Sequence, residues 1–116
     1  MREQEEEKMQ RAVQEALAVY INNKNDFLID GKRVDVVMDT ATKSKYDKGC
    51  GISISTPIDC NDGDEYVWHI TATTALYVQC PSGYRTQNVR MDVNCELSWA
   101  DKVWTAQVSS CIFHNY

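Results

Sequence analysis

The stretch from Glu65 to Trp99, EYVWHITATTALYVQCPSGYRTQNVRMDVNCELSW, decides the fold of this chain. Before Pro81 the even positions are the more apolar ones, and the odd positions are the more polar. After Gly83 the parity reverses, so that the odd positions from Gln87 to Trp99 form the apolar set. Alternation with a period of two is typical of a strand with one buried face and one solvated face. Two such runs around a Pro/Gly turn predict one long antiparallel hairpin.

The totals describe an acidic chain of ordinary globular composition. Its 116 residues are 43% hydrophobic and 25% charged, with a net charge of -5. This length is enough for a single core, so one domain is expected over residues 1–116. An acidic surface disfavours direct binding to nucleic acid, because such binding requires basic patches. It is compatible with a protein partner, including a basic one.

The chain has no run of about 18 apolar residues, so no membrane span is expected. Its five cysteines are an odd number without a C-x-x-C pair, which disfavours a zinc site and a complete disulfide framework. Strand parity places Cys50, Cys80 and Cys95 on inward faces, and no disulfide is predicted among them. We expect no cofactor and no metal. Free thiols favour a cytoplasmic location, and an extracytoplasmic location after removal of a leader is the alternative.

The rest of the chain supplies one helix and several shorter strands. Residues 3–24 are predicted to be helical, since Met9, Val13, Leu17 and Tyr20 share one apolar stripe. Strands are predicted at about residues 27–29, 32–40, 50–58, 65–80, 85–99 and 103–114. Short turns keep sequence neighbours adjacent in a sheet. The predicted fold class is α+β, with one N-terminal helix packed on a curved antiparallel meander of five to six strands.

This order of elements resembles two families in architecture. Cystatin-like domains wrap a curved antiparallel sheet around one helix, and the periplasmic domains of type IV pilins set a long N-terminal helix on an antiparallel meander. The cystatin Gln-x-Val-x-Gly loop has no match between Val34 and Gly49. The pilin resemblance implies a disulfide near the C-terminus, for which Cys95 and Cys111 are the available pair. The predicted register places these two cysteines on opposite faces.

One candidate site lies on the polar face of the predicted sheet. With the turn centred near Ser82, His69 lies opposite Glu96, and the neighbouring hairpins bring Ser55 and Gln107 beside them. Cross-strand side chains lie about 5 Å apart, so the four residues would form one row. A hydroxyl–imidazole–carboxylate row permits nucleophilic chemistry, but an open face provides no oxyanion hole. We therefore expect a polar contact surface and no enzymatic activity.

A second candidate site is the last strand, which is an edge of the predicted meander. Residues 105–114 carry little charge, and edge strands expose unpaired backbone groups. Pairing with a second copy or with a partner strand is expected, with Phe113 and Tyr116 in the contact. Its alternation predicts an inward face made of Trp104, Ala106, Val108, Ser110 and Ile112.

Three classes of function are compatible with these features. The first is a small acidic, non-catalytic protein-binding domain of the inhibitor, immunity or regulatory type, acting through a sheet edge or the polar sheet face. The second is the soluble domain of a pilin-like extracytoplasmic structural subunit. The third is a small ligand-binding or hydrolytic domain that uses the polar face. The absence of a catalytic motif places the first class ahead of the others.

Overall fold

The computed structural model describes residues 2–24, 26–37, 51–54 and 66–116 of the chain. Within this part, one helix and six strands follow one another: α1 (Arg2–Asn22), β1 (Phe27–Ile29), β2 (Lys32–Val36), β3 (Ile52–Ile54), β4 (Tyr66–Cys80), β5 (Gly83–Ala100) and β6 (Val103–Asn115). A helix on a mostly antiparallel sheet confirms the predicted α+β class. The predicted strand ends at residues 40, 50 and 58 lie outside the described residues.

Helix α1 forms because its apolar side chains recur on one face. Val13, Leu17 and Ile21 are completely buried, and they follow the i, i+4, i+8 spacing of a helical stripe. The helix ends where the Asn23 side-chain amide donates to the Val19 carbonyl oxygen at 2.9 Å. The buried face lies mainly against β6 and also contacts β3 and β5. The helix therefore crosses the inner face of the sheet.

The sheet closes into a barrel of five strands, and the prediction of an open meander is wrong. The strand order is β2-β1-β6-β5-β4-β3, and an additional pairing of β2 with β4 completes the ring. β1 lies parallel to β6 through Ile29 and Phe113, and β2 lies antiparallel to β4 through Val36 and Val78. These pairs join segments far apart in the sequence, so the rule that sequence neighbours are spatial neighbours did not predict them.

The long hairpin of β4 and β5 has the predicted faces but a different register. Its turn has only two residues, Pro81 and Ser82, since Cys80 pairs with Gly83. Tyr66 consequently lies opposite Leu97, whereas the prediction placed it near Trp99. The shift is two residues, and an even shift keeps every side chain on its face. The alternation correctly predicts the buried face of the hairpin, which includes Ile70, Leu76 and Val89.

Strand β6 contains a β-bulge that reverses its faces. Asn94 pairs with Ser110 and Cys95 pairs with Val108, so Ser109 is the extra residue. Beyond the bulge Phe113 is 2% exposed and Ile112 is 58% exposed. The prediction that Ser110 and Ile112 continue the inward face is therefore wrong. The same reversal turns the Cys111 side chain toward the core, so that it lies on the same face of the sheet as Cys95.

The core lies between α1 and the inner face of the barrel. It includes Trp68, Met91 and Phe113, and the Phe27 and Phe113 rings lie 5.5 Å apart at the junction of β1 and β6. Cys80, Cys95 and Cys111 are free thiols. Cys50, the third cysteine of the predicted inward set, lies outside the described residues.

Candidate functional site

The structure separates most of the predicted polar row. Glu96 lies opposite Gln107, as predicted, but His69 lies opposite Asn94, and Glu96 faces Val67 on β4. The cause is the short turn at Pro81, which moves β5 by two residues relative to the prediction. Ser55 lies outside the described residues.

The row that contains His69 is completed by amide and hydroxyl groups. Asn94 donates through its side-chain amide to the Ser110 hydroxyl oxygen at 3.0 Å. His69, Thr71, Asp92, Asn94 and Ser110 border one shallow depression on the outer face. The carboxylate that borders this depression is Asp92 and not Glu96.

The end of β6 is not the free edge that was predicted. Ile29 pairs with Phe113, and the Asp30 amide donates to the Phe113 carbonyl oxygen at 3.1 Å. The Phe113 side chain belongs to the core and cannot serve as a contact surface. Tyr116 is 81% exposed, and its amide donates to the Asn88 carbonyl oxygen at 3.4 Å.

A histidine between two carboxylates lies beside this closed end. His114 Nδ1 lies 2.9 Å from Asp30 Oδ1, and His114 Nε2 lies 3.0 Å from Asp92 Oδ2. The Asn115 amide donates to Asp30 Oδ2 at 2.9 Å. This backbone hydrogen bond, followed by the one from His114, holds the pKa of Asp30 below its ordinary value. The cluster joins the β1–β2 turn to β5 and β6, which is a structural role.

The thiols of the core are poor candidates for nucleophiles. Burial raises the pKa of Cys95 to about 11, and burial is also the largest of the effects that raise the pKa of Cys111 to about 12. A thiol with such a pKa stays protonated at neutral pH, and the thiolate is the reactive species. These two cysteines act as small apolar side chains.

Around Ala106, the upper part of β6 presents a backbone edge that pairs with no other described strand. The turn at Asp101 and Lys102 has φ values of 53° and 61°, which define a two-residue type I′ turn. Such a turn makes Ala100 and Val103 a hydrogen-bonded pair, and the pattern alternates along the hairpin. Ala106, opposite Leu97, therefore points its N–H and C=O away from β5. Among the described residues, the ladder on that side of β6 consists of the Ile29–Phe113 pair alone.

An apolar groove runs along this open edge. Its volume is about 470 Å³, and it lies between α1 and β6. One face of α1 and both faces of β6 form its walls: Ala12, Glu15, Ala16, Val19, Tyr20 and residues 103–108. Because inward and outward residues of β6 both contribute, the groove follows the backbone edge itself. Val19 is 57% exposed at its rim.

Sequence reasoning missed this groove for an identifiable reason. It placed the free edge along residues 105–114, of which the structure pairs Phe113 with β1, and it treated α1 as a cover for the sheet and not as the wall of a groove. The available signal was Val19, an apolar residue outside the predicted helical stripe. In the predicted arrangement of helix and sheet, the Val19 side chain points away from the sheet and has no apolar contact.

The comparisons with known proteins identify no relative. No family model, curated protein or solved structure matches the chain. In the described part of the chain, no helix combines the length and the apolar character that crossing a membrane requires.

Proposed function

We propose that this chain is a non-catalytic protein-binding domain that takes an extended segment of a partner protein onto the open edge of β6. The observation that carries the proposal is the coincidence of that edge with an apolar groove beside it. In this mode, called β-augmentation, backbone hydrogen bonds provide affinity and pockets for alternate side chains provide specificity. Inhibitor, immunity or regulatory activity would follow from occupation of this groove.

The geometry of the edge supports a strand as the bound element. A docked strand would accept and donate hydrogen bonds at Ala106, whose N–H and C=O point outward. Every second side chain of that strand would enter the space between α1 and β6, where Ala12 and Ala16 leave room. The other side chains would lie over the outer face beside Thr105 and Gln107.

Two substitutions of equal exposure test the proposal. A random peptide library displayed on phage is selected on the wild-type protein, and the affinity of the enriched peptides is measured by fluorescence anisotropy. Val19→Lys places a charge at the apolar rim, and we expect a loss of about tenfold or more in affinity. Ile112→Lys is the control, because Ile112 is 58% exposed on the opposite face and Val19 is 57% exposed.

The outcomes separate the two candidate surfaces. Loss of binding in Val19→Lys with near-wild-type binding in Ile112→Lys supports the groove. If His69→Ala abolishes binding and Val19→Lys does not, the polar face is the binding surface and the groove is not. A selection that enriches no peptide contradicts the proposed function.

A further inference from the structure

We infer that the groove selects an extended segment that runs antiparallel to β6 and carries a carboxylate at its carboxyl-terminal end. This inference rests on the proposed function, to which it adds the direction and the charge of the bound segment. The evidence is a cluster of three cations, Lys8, Arg11 and Lys102, at one end of the groove.

The cluster lies at the tip of the β5–β6 hairpin. Lys8 and Arg11 come from α1, and Lys102 comes from the turn that precedes β6. Together with Ala12, Glu15, Val103 and Trp104 they border a second cavity of about 280 Å³. This cavity shares Ala12, Glu15, Val103 and Trp104 with the apolar groove, so the two form one continuous surface.

The lining of this cavity is cationic, although the chain as a whole is acidic. The chain has a net charge of -5, yet three cations and the single carboxylate of Glu15 border the cavity. Among the side chains that the structure describes, which begin at Glu6, no ion pair involves Lys8, Arg11 or Lys102. Three cations without such partners beside an apolar groove complement an anionic group on a bound segment.

The direction follows from the position of the cluster. Strand β6 begins at the tip, at Val103, and runs toward Asn115. A segment antiparallel to β6 therefore ends at the tip, where its carboxyl-terminal residues face the cations. Antiparallel pairing is also slightly more stable per residue than parallel pairing. An acidic side chain or a free terminal carboxylate would satisfy the cluster equally, since both present the same anionic oxygens.

A second copy of this chain is a poorer occupant than a partner of this chemistry. The strand that a second copy would supply, VWTAQVSS at residues 103–110, contains no acidic residue. Self-pairing of β6 would therefore leave the three cations without an anion. Light scattering at several concentrations distinguishes this case, since a mass that rises to that of a dimer would favour the second copy.

Three short synthetic peptides test the inference by fluorescence anisotropy. Each alternates valine and threonine. The first ends in two aspartates with a free carboxylate, the second has the aspartates at its amino-terminal end and an amidated carboxyl terminus, and the third ends in two asparagines and an amide. Two further peptides separate the two anionic sources: one ends in two aspartates and an amide, and the other ends in two asparagines with a free carboxylate.

We expect the affinity of the first peptide to be at least about fivefold higher than that of the second and the third. This difference in affinity should shrink at high salt. Lys102→Glu should remove most of this preference, and Lys32→Glu, an exposed lysine on β2, should leave it unchanged. If all peptides bind equally and Lys102→Glu has no effect, the inference is overturned, while sensitivity to Val19→Lys still supports the proposed function. If none of these peptides binds, the inference fails, and the library selection alone then decides the proposed function.

Discussion

At the residue scale, Asp30 joins the β1–β2 turn to the end of β6. It has a φ of 50° in the turn before Gly31, and its carboxylate accepts hydrogen bonds from the Asn115 amide and from His114. These bonds stabilise the ionised form and lower the pKa of Asp30 in the folded state. A carboxyl group whose pKa is lower when folded adds stability above its unfolded pKa and loses that stability as the pH falls through the folded pKa.

Asp30→Asn should therefore be less stable than the wild type at neutral pH, and the difference should shrink as the pH falls below about 4. Asparagine keeps the shape of the side chain and favours the same positive φ, so the change isolates the charge. Urea unfolding of both proteins across this pH range measures the difference in the free energy of unfolding.

The control is Asp101→Asn, which changes the first residue of the other tight turn. Asp101 has a φ of 53° and has no side-chain hydrogen bond among the described residues. Its replacement should alter stability much less at every pH. A difference between Asp30→Asn and the wild type that does not depend on pH would contradict this account of the Asp30 carboxylate.

The candidate site residues illustrate which contacts a sequence can specify. Glu96 and Gln107 were paired correctly, because the short turn between β5 and β6 leaves little freedom. His69 and Glu96 were not, because the Pro81–Gly83 break permits turns of different length that preserve the alternation. Parity is visible in the sequence, but an even register shift leaves parity unchanged.

At the element scale, the bulge in β6 decides which side chains fill the lower core. The alternation of apolar residues places Ile112 with Ala106 and Val108, whereas the extra residue at Ser109 places Phe113 inside. The residues around the bulge, Val108 to Phe113, contain apolar side chains in both parities. Pattern alone could therefore not locate the reversal.

Phe113→Ala should lower the free energy of unfolding by about 3–5 kcal/mol, because it removes a buried ring that packs on Phe27. Ile112→Ala should cost less than about 1 kcal/mol, since that side chain is exposed. Chemical denaturation of the two variants measures both values. The opposite ranking would mean that β6 continues without a bulge.

Two neighbouring proline substitutions test the hydrogen-bond pattern of the upper part of β6. Thr105 pairs with Ser98 and should donate its amide to β5, whereas Ala106 directs its amide outward. Proline is tolerated where a strand amide faces away from its ladder. Ala106→Pro should thus lower stability by less than about 1 kcal/mol, and Thr105→Pro by about 1–3 kcal/mol through the lost hydrogen bond.

Thermal unfolding followed by circular dichroism compares the two proline variants. Ala106→Pro should fold and should also bind the selected peptides more weakly, because it lacks the outward donor. A register in which Thr105 faces outward would reverse the two stabilities.

At the scale of the whole molecule, the part of the sheet that the structure describes is closed at one end and open at the other. β1 and β2 bridge β6 and β4 near Phe113 and Val78. Toward the β5–β6 tip, α1 covers the inner face and β6 keeps an open edge. Among the described residues, this arrangement leaves an open backbone edge on the upper part of β6, which is the basis of the proposed function.

The sequence patterns could not predict that the sheet closes into a barrel. The helix, the hairpins and the buried faces of β4 and β5 follow from local periodicity and turn residues. The pairing of β1 with β6 depends on a short parallel contact at Ile29, and that of β2 with β4 on contacts near Val36. Pairings of so few residues, far apart in the sequence, leave no periodic signal. These pairings are nevertheless what closes the sheet into a barrel.

The central claim, that the open edge of β6 accepts a strand, is tested most directly by hydrogen exchange at the Ala106 amide, observed by NMR. In the free protein this amide should exchange quickly, while the Thr105 amide should be protected by its bond to β5. A saturating amount of the aspartate-ended peptide should slow exchange at Ala106 by about tenfold or more and leave Thr105 nearly unchanged. An Ala106 amide that is as protected as Thr105 in the free protein, or that exchanges at the same rate with and without bound peptide, would contradict the claim.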